Sequence, residues 1–287
     1  MIAAVDPLNY AQAIVLGVVQ GLTEFLPISS SAHLRIVAAL AGWGDPGAAF
    51  TAVTQIGTET AVVLYFRHDI VRIARAWLAS LPPRRWPDDP DARLGWLVLL
   101  GSVPIVVLGL ALEHPIDSAF RDLRLIALAM IGFALLLGWA DRRSPDDRDL
   151  VDLTVRDGLI YGLAQAMALI PGVSRSGGTI TAGRLLGYSR EAATRFAFLL
   201  AIPAVLGSGV YKLKDIGGPD TGTAWGPTVL ATVIAFAVGY AVIAWLMRYL
   251  KTGSYLPFVV YRVALGVLVL VLVTSGAISP ESGYVAP

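Results

Sequence analysis

The stretches "GVVQGLTEFLPISSSAH" (residues 17–33) and "GLAQAMALIPGVSRSGG" (residues 162–178) stand 145 residues apart, and their pairing decides how the chain folds. At that offset Gly17 meets Gly162, Gln20 meets Gln165, Ser29 meets Ser174 and Ser31 meets Ser176. Each runs from an apolar helical stretch through a break marked by proline or glycine into a cluster of serines. The pattern predicts an internal repeat whose two copies each contain a broken helix.

What surrounds these stretches is membrane-like. Of the 287 residues, 56% are hydrophobic and 15% charged, and the mean hydropathy is +0.67. Such a composition points to an integral membrane protein. Apolar runs near 94–112, 125–140, 196–211, 225–247 and 263–279, with a sixth near 48–66 that carries only Glu59, give about six spans of ~20 residues. The expected fold is therefore all-α, a single polytopic domain over 1–287. The first basic residue is Arg35, so no cleavable signal peptide is expected. The absence of cysteine excludes disulfides, thiolate metal sites and a cysteine nucleophile. A net charge of +1 gives no electrostatic basis for a nucleic-acid partner.

Basic residues orient the spans. Arg67, Arg72, Arg75, Arg84, Arg85 and Arg93 fall in one loop, Arg142, Arg143, Arg148 and Arg156 in another, Arg184, Arg190 and Arg195 in a third, and Arg248, Lys251 and Arg262 in a fourth. The positive-inside rule makes these loops cytoplasmic and both termini extracytoplasmic. Segment 155–185 then begins and ends inside, and 10–42 begins and ends outside. Each reads as a re-entrant helix–loop–helix, one from each face, within an inverted-topology repeat of about 10–112 and 155–279. Broken helices in such repeats aim their ends at a site near mid-membrane. Non-helical backbone is tolerated there only where protein or water satisfies it.

The residues at the breaks suit an anion. In "PGVSRSGGT" (171–179), Ser174, Ser176 and Thr179 supply hydroxyl donors, Gly177 and Gly178 open the backbone, and Arg175 supplies a planar fork of charge. The competing reading is a helix–helix turn with capping serines and an interfacial arginine. In the first copy, Gln20 and Glu24 share a helix face below Pro27. A carboxylate at membrane depth needs a partner. Ser29, Ser30 and Ser31 fit a helix start, and His33 lies three residues beyond Ser30. Together these residues offer a base, a nucleophile and a weak site for a hard divalent cation, which takes one or two carboxylates and completes its shell with water and substrate phosphate.

"QGLTEF", "PISSSAH" and "PGVSRSGGT" resemble the signature regions of the undecaprenyl-diphosphatase family, also called bacitracin-resistance proteins. The resemblance continues through "FTAVTQIGTETAVVLYF" and "SREAATRFAFLLAIPAV". It implies a bacterial cell-membrane enzyme that removes the terminal phosphate of undecaprenyl diphosphate, regenerating the carrier lipid of cell-wall synthesis and conferring bacitracin resistance. It assigns Glu24, Ser30, His33 and Arg175 to catalysis, Ser29, Ser174, Arg175, Ser176 and Thr179 to substrate binding, and Gln20 and Glu24 to a divalent cation, Mg2+ or Ca2+. His33 is expected to be the base for Ser30, with attack by His33 or by water as the alternatives. Two features depart from the family pattern: Gln rather than Glu at position 20, and Thr51 where many relatives carry an acid, for which Glu59 is a candidate substitute. Polyprenyl diphosphate and the bilayer are the expected partners, and a homodimer is compatible with the sequence. A membrane transporter using Glu24, Glu59 and His33 as a proton relay, or a lipid-phosphate flippase, would carry the same architecture without hydrolysis.

Overall fold

The computed structural model describes residues 8–81, 87–112, 122–217 and 224–281. Among these residues the regular structure is α-helical, apart from short 3-10 turns and one isolated bridge between Arg148 and Tyr188. The helices are α1 (Tyr10–Thr23), α2 (Ser30–Leu40), α3 (Gly47–Tyr65), α4 (Arg67–Ala79), α5 (Pro90–Ala111), α6 (Leu123–Arg143), α7 (Val155–Ala166), α8 (Arg175–Leu185), α9 (Arg190–Lys212), α10 (Trp225–Tyr249) and α11 (Leu256–Thr274).

Local chemistry fixes where the helices start. Asn9 and Gln12 form a capping box on α1, and Thr154 and Asp157 form another on α7. Asp89 caps α5 ahead of Pro90, and Ser189 caps α9. Pro104 and Pro203 lie inside α5 and α9, a placement that membrane-spanning helices tolerate.

Among the described residues, five helices are long and apolar enough to cross a membrane: α5, α6, α9 with its 3-10 extension to Asp215, α10 and α11. This is an all-α, multi-pass membrane architecture. The sixth expected span is α3, whose 19 residues are long enough but not apolar enough to stand with those five. Thr51, Thr54, Gln55, Thr58, Glu59 and Thr60 lower its hydropathy. Several of these polar side chains face inward, Thr54, Thr58 and Glu59 being buried. An unexpected element is α4, in the loop read as merely basic; Ile73 turns inward from it and Trp77 meets Trp96 of α5 edge-on.

Neither stretch that opened the reading forms a continuous span. Helices α1 and α2 have 14 and 11 residues, and α7 and α8 have 12 and 11. At ~1.5 Å per residue each falls short of a ~30 Å hydrocarbon core. The 145-residue offset carries Tyr10 onto Val155 and Ser30–Leu40 onto Arg175–Leu185, which are the observed helix bounds. The halves interlock: α1 packs on α10, α7 packs on α5, and α3 and α9 pack together between them. Close approach depends on small residues. A Cβ at Gly57 of α3 would run into the Thr232 carbonyl of α10, and one at Gly17 of α1 would stand 2.7 Å from the Ala231 carbonyl.

Candidate active site

Both breaks turn through the same strained residue. Ser29 (φ 75°) and Ser174 (φ 72°) are two of three non-glycine residues with positive φ among those described, and the 145-residue offset superposes them. Left-handed backbone at a non-glycine residue costs on the order of 1–3 kcal/mol and is characteristic of functional sites. Each serine sits just before a helix and aims its first turn inward. The hydroxyl of Ser174 accepts the Gly177 N–H (3.1 Å), capping α8. That of Ser29 instead accepts the Gly172 N–H of the other break (3.2 Å). Gly172 is needed there, with φ 97° and the Ile126 carbonyl against its α-carbon.

The two breaks are joined by a charge cluster around Glu24. Its Oε2 accepts hydrogen bonds from Gln20 Nε2 (2.7 Å) and Ser30 Oγ (2.5 Å). Its Oε1 accepts one from Arg175 Nη2 across the break. Glu59 approaches the same guanidinium, with Oε2 at 3.8 Å from Nη2. Ser176 Oγ donates to the Leu26 carbonyl (3.1 Å). The carboxylate that the sequence placed at membrane depth thus has three hydrogen-bonding partners, one of them charged.

The cluster borders a cavity of ≈ 470 Å³ and supplies part of its polar wall. Glu24, Ser29, Ser30, Ser31, Ser174 and Arg175 line it, and Thr51 and Gln55 of α3 continue the wall. Facing them are apolar side chains that include Ile105, Val106 and Leu110 of α5 and Val205 of α9. Val106 and Leu110 are exposed side chains of α5, one of the helices long and apolar enough to cross a membrane. The first residues of α2 and α8, Ser30 and Arg175, both reach the cavity, so two helix N-termini lie at its polar end.

Not every expected residue arrives where the sequence put it. His33 is buried, and its hydrogen bonds go elsewhere than Ser30: its Nδ1 bonds the Ser29 carbonyl (2.7 Å), its Nε2 bonds the Tyr261 hydroxyl (2.8 Å), and its ring stacks on Tyr261. A carbonyl accepts only, so Nδ1 carries a hydrogen and donates it to the Ser29 carbonyl. The i to i+4 reach to the strained Ser29 carbonyl takes the imidazole that the reading had assigned to Ser30, and Glu24 takes its place as the partner of Ser30. Thr179 is buried and donates back to the carbonyls of Arg175 (2.7 Å) and Ser176 (3.2 Å), away from the cavity. Ser176, Gln20 and Glu59 also stand behind the wall.

Arg262 is the residue the sequence reading misplaced. Read as part of a cytoplasmic loop, it lies inside α11 with no exposure, and Nη1 bonds the Pro27 carbonyl (3.0 Å) while Nη2 bonds those of Gly172 (2.7 Å) and Val173 (2.9 Å). These carbonyls are freed where the helices break, and leaving one bare in a membrane costs several kcal/mol.

The donor set was tested against a hard cation. Gln20 Oε1 and both carboxylate oxygens of Glu59 are buried without a hydrogen-bond partner, beside Glu24. Buried oxygens without a hydrogen-bond donor fit an oxygen-coordinated divalent ion. The described residues contain no cluster of three acidic, histidine or cysteine side chains, so protein oxygens would supply only part of its shell.

Residues 13–268 match the family described as bacitracin resistance protein BacA. The chain belongs to this family. Among BacA-family relatives, undecaprenyl-diphosphatase 2 of Frankia casuarinae is 62% identical over 96% of this chain and 99% of its own length. The undecaprenyl-diphosphatase of a Nocardioides species is 61% identical over 94% and 99%, and that of Micrococcus luteus is 58% identical over 95% and 100%. The aligned lengths cover both breaks, so the BacA-family likeness extends to every element that builds the cavity.

Proposed function

We propose that this BacA-family protein hydrolyses undecaprenyl diphosphate to the monophosphate and orthophosphate, recycling the lipid carrier of cell-wall synthesis and conferring bacitracin resistance. The observation that carries the reading is the meeting of Arg175, Glu24 and Ser30, drawn from opposite halves of the chain, on the polar wall of a cavity whose other side is largely apolar and built by helices long enough to cross a membrane. A diphosphate fits the first wall and a prenyl chain the second.

In this mechanism Arg175 and the amides at the start of α2 and α8 hold the terminal phosphate and balance the charge that develops on it. Ser30 attacks the terminal phosphorus as Glu24 accepts its proton through the existing hydrogen bond. The bond from that phosphorus to the bridging oxygen breaks, and the prenyl monophosphate leaves. Glu24 passes the proton taken from Ser30 to the departing monophosphate; water then attacks the phosphoserine and gives a proton to Glu24, which returns it to Ser30 Oγ as the serine–phosphorus bond breaks and orthophosphate departs. Ser29, Ser31 and Ser174 complete the phosphate contacts, while Ser176 and Thr179 hold the backbone that presents them. His33 holds the Ser29 turn on which Ser30 is mounted. A divalent cation, Mg2+ or Ca2+, would be held by Gln20 Oε1, Glu24 and Glu59, and when bound would neutralise phosphate oxygens as a Lewis acid. Glu59 thereby supplies the acid that Thr51 lacks.

Arg175→Lys tests the reading. An ammonium keeps the charge but loses the planar, two-pronged grip. If Arg175 stabilises the transferring phosphoryl group, kcat falls by about tenfold or more, each ~1.4 kcal/mol being tenfold in rate. A rise in KM with kcat unchanged would reduce the arginine to an anchor. Wild-type kinetics in both Arg175→Lys and Arg175→Ala would remove it from the reaction.

A further inference from the structure

Of the fully buried arginines Arg35, Arg184 and Arg262, which the mechanism does not use, the first two are paired with Asp45 and Asp141. Arg262 has no exposure, no carboxylate among the described residues is paired with it, and its partners are three main-chain carbonyls, one from the first break and two from the second. We infer that Arg262 is a positioning residue for the hydrolysis: its guanidinium bridges the Pro27 carbonyl to those of Gly172 and Val173, and so fixes the Glu24–Ser30 pair in register with Arg175.

Sequence distance explains why a bridge is needed. Pro27 lies between Glu24 and Ser30, and Val173 lies two residues before Arg175, so the carbonyls that Arg262 holds are within three residues of each reacting group. The two breaks come from halves 145 residues apart, and no chain connection sets their spacing. A planar fork with donors on separate nitrogens can hold both at a defined separation, whereas a single ammonium donates from one point. Room for the fork is built in, since a Cβ on Gly177 would stand 2.8 Å from Arg262 Nη1. The preceding residue on α11, Tyr261, holds the Nε2 of His33, so one turn of this helix braces both the Ser29 turn and the junction of the breaks. A pure fold staple would be felt in stability. A positioning residue is felt in kcat, because a misplacement of ~1 Å costs on the order of 100-fold in rate.

The inference rests on the proposed hydrolysis, and one assay separates their failures. Orthophosphate release from undecaprenyl diphosphate is measured for purified wild type, Arg262→Lys, Arg262→Gln and Gly177→Ala in detergent, with the thermal unfolding midpoint recorded for each. If the wild type releases none, the functional reading fails. With the wild type active, kcat is expected to fall by at least about tenfold in Arg262→Lys and further in Arg262→Gln, with KM held within about threefold. Gly177→Ala keeps the guanidinium and displaces it, so it should lose kcat in the same way even if Arg262→Gln does not fold. Wild-type kcat in Arg262→Lys and Gly177→Ala, or losses that follow the unfolding midpoint alone, would overturn the inference.

Discussion

Glu24 is the residue through which the two halves of the chain communicate chemically. It accepts from Gln20 and Ser30 on its own side and from Arg175 on the other, so its charge is both compensated and available as a proton acceptor. Glu24→Gln keeps the shape but removes the charge and the base, and turnover should fall by about 10²–10⁴-fold, the usual contribution of a positioned base, in a protein that still purifies as a folded species. Gln20→Glu adds a carboxylate where an amide oxygen is now buried without a partner, and should lower the divalent-ion concentration needed for half-maximal activity. Full activity of both the wild type and Gln20→Glu in EDTA would remove the metal and leave Glu24 as base alone. His33 marks a limit of reading by spacing. Three residues from Ser30 put it within reach, but its Nδ1 bonds the carbonyl of Ser29, which also accepts the His33 N–H, and nothing in the local sequence announces the positive-φ turn at a serine.

At the scale of elements, the breaks themselves carry the strain. Ser174 pairs an unfavourable backbone with a useful cap, and the two effects separate by substitution. Ser174→Ala loses the cap and keeps the strain, whereas Ser174→Gly loses the cap but relieves the strain. Glycine should therefore be the more stable variant by roughly 1 kcal/mol, seen as a higher unfolding midpoint, with both impaired in turnover. Equal midpoints would mean that the turn is not strained. The breaks were legible because proline, glycine and serine clusters interrupt otherwise apolar helices, and because the repeat reproduces them at a fixed offset. The polar face of α3 was only half legible: its length showed a helix, while the inward aim of Glu59 depends on packing against the other half. Arg262 was illegible for a related reason. A charge near the start of an apolar run counts as a loop residue, and its partners lie 235, 90 and 89 residues away, so no local pattern records them.

At the scale of the whole molecule, the account joins a multi-pass bundle, a cavity shared by its two halves and a family membership that spans nearly the whole chain. From the distribution of arginine and lysine we propose that both termini are extracytoplasmic; residues 1–7 and 282–287 lie outside the described structure. The chain has no cysteine, so single cysteines at Ala3 and Ser282 give clean labels. Both should react with an impermeant thiol reagent in intact cells, and labelling only after lysis would reverse the proposed topology. The central claim is chemical: the junction of the breaks cleaves a phosphoanhydride rather than passing its ligand or a proton across the membrane. Orthophosphate release from undecaprenyl diphosphate by the purified protein in detergent tests it most directly, since detergent abolishes any gradient on which transport depends. The account predicts sustained, multiple-turnover release by the wild type that Glu24→Gln abolishes. Binding of the lipid diphosphate without release of phosphate would contradict it and leave a carrier.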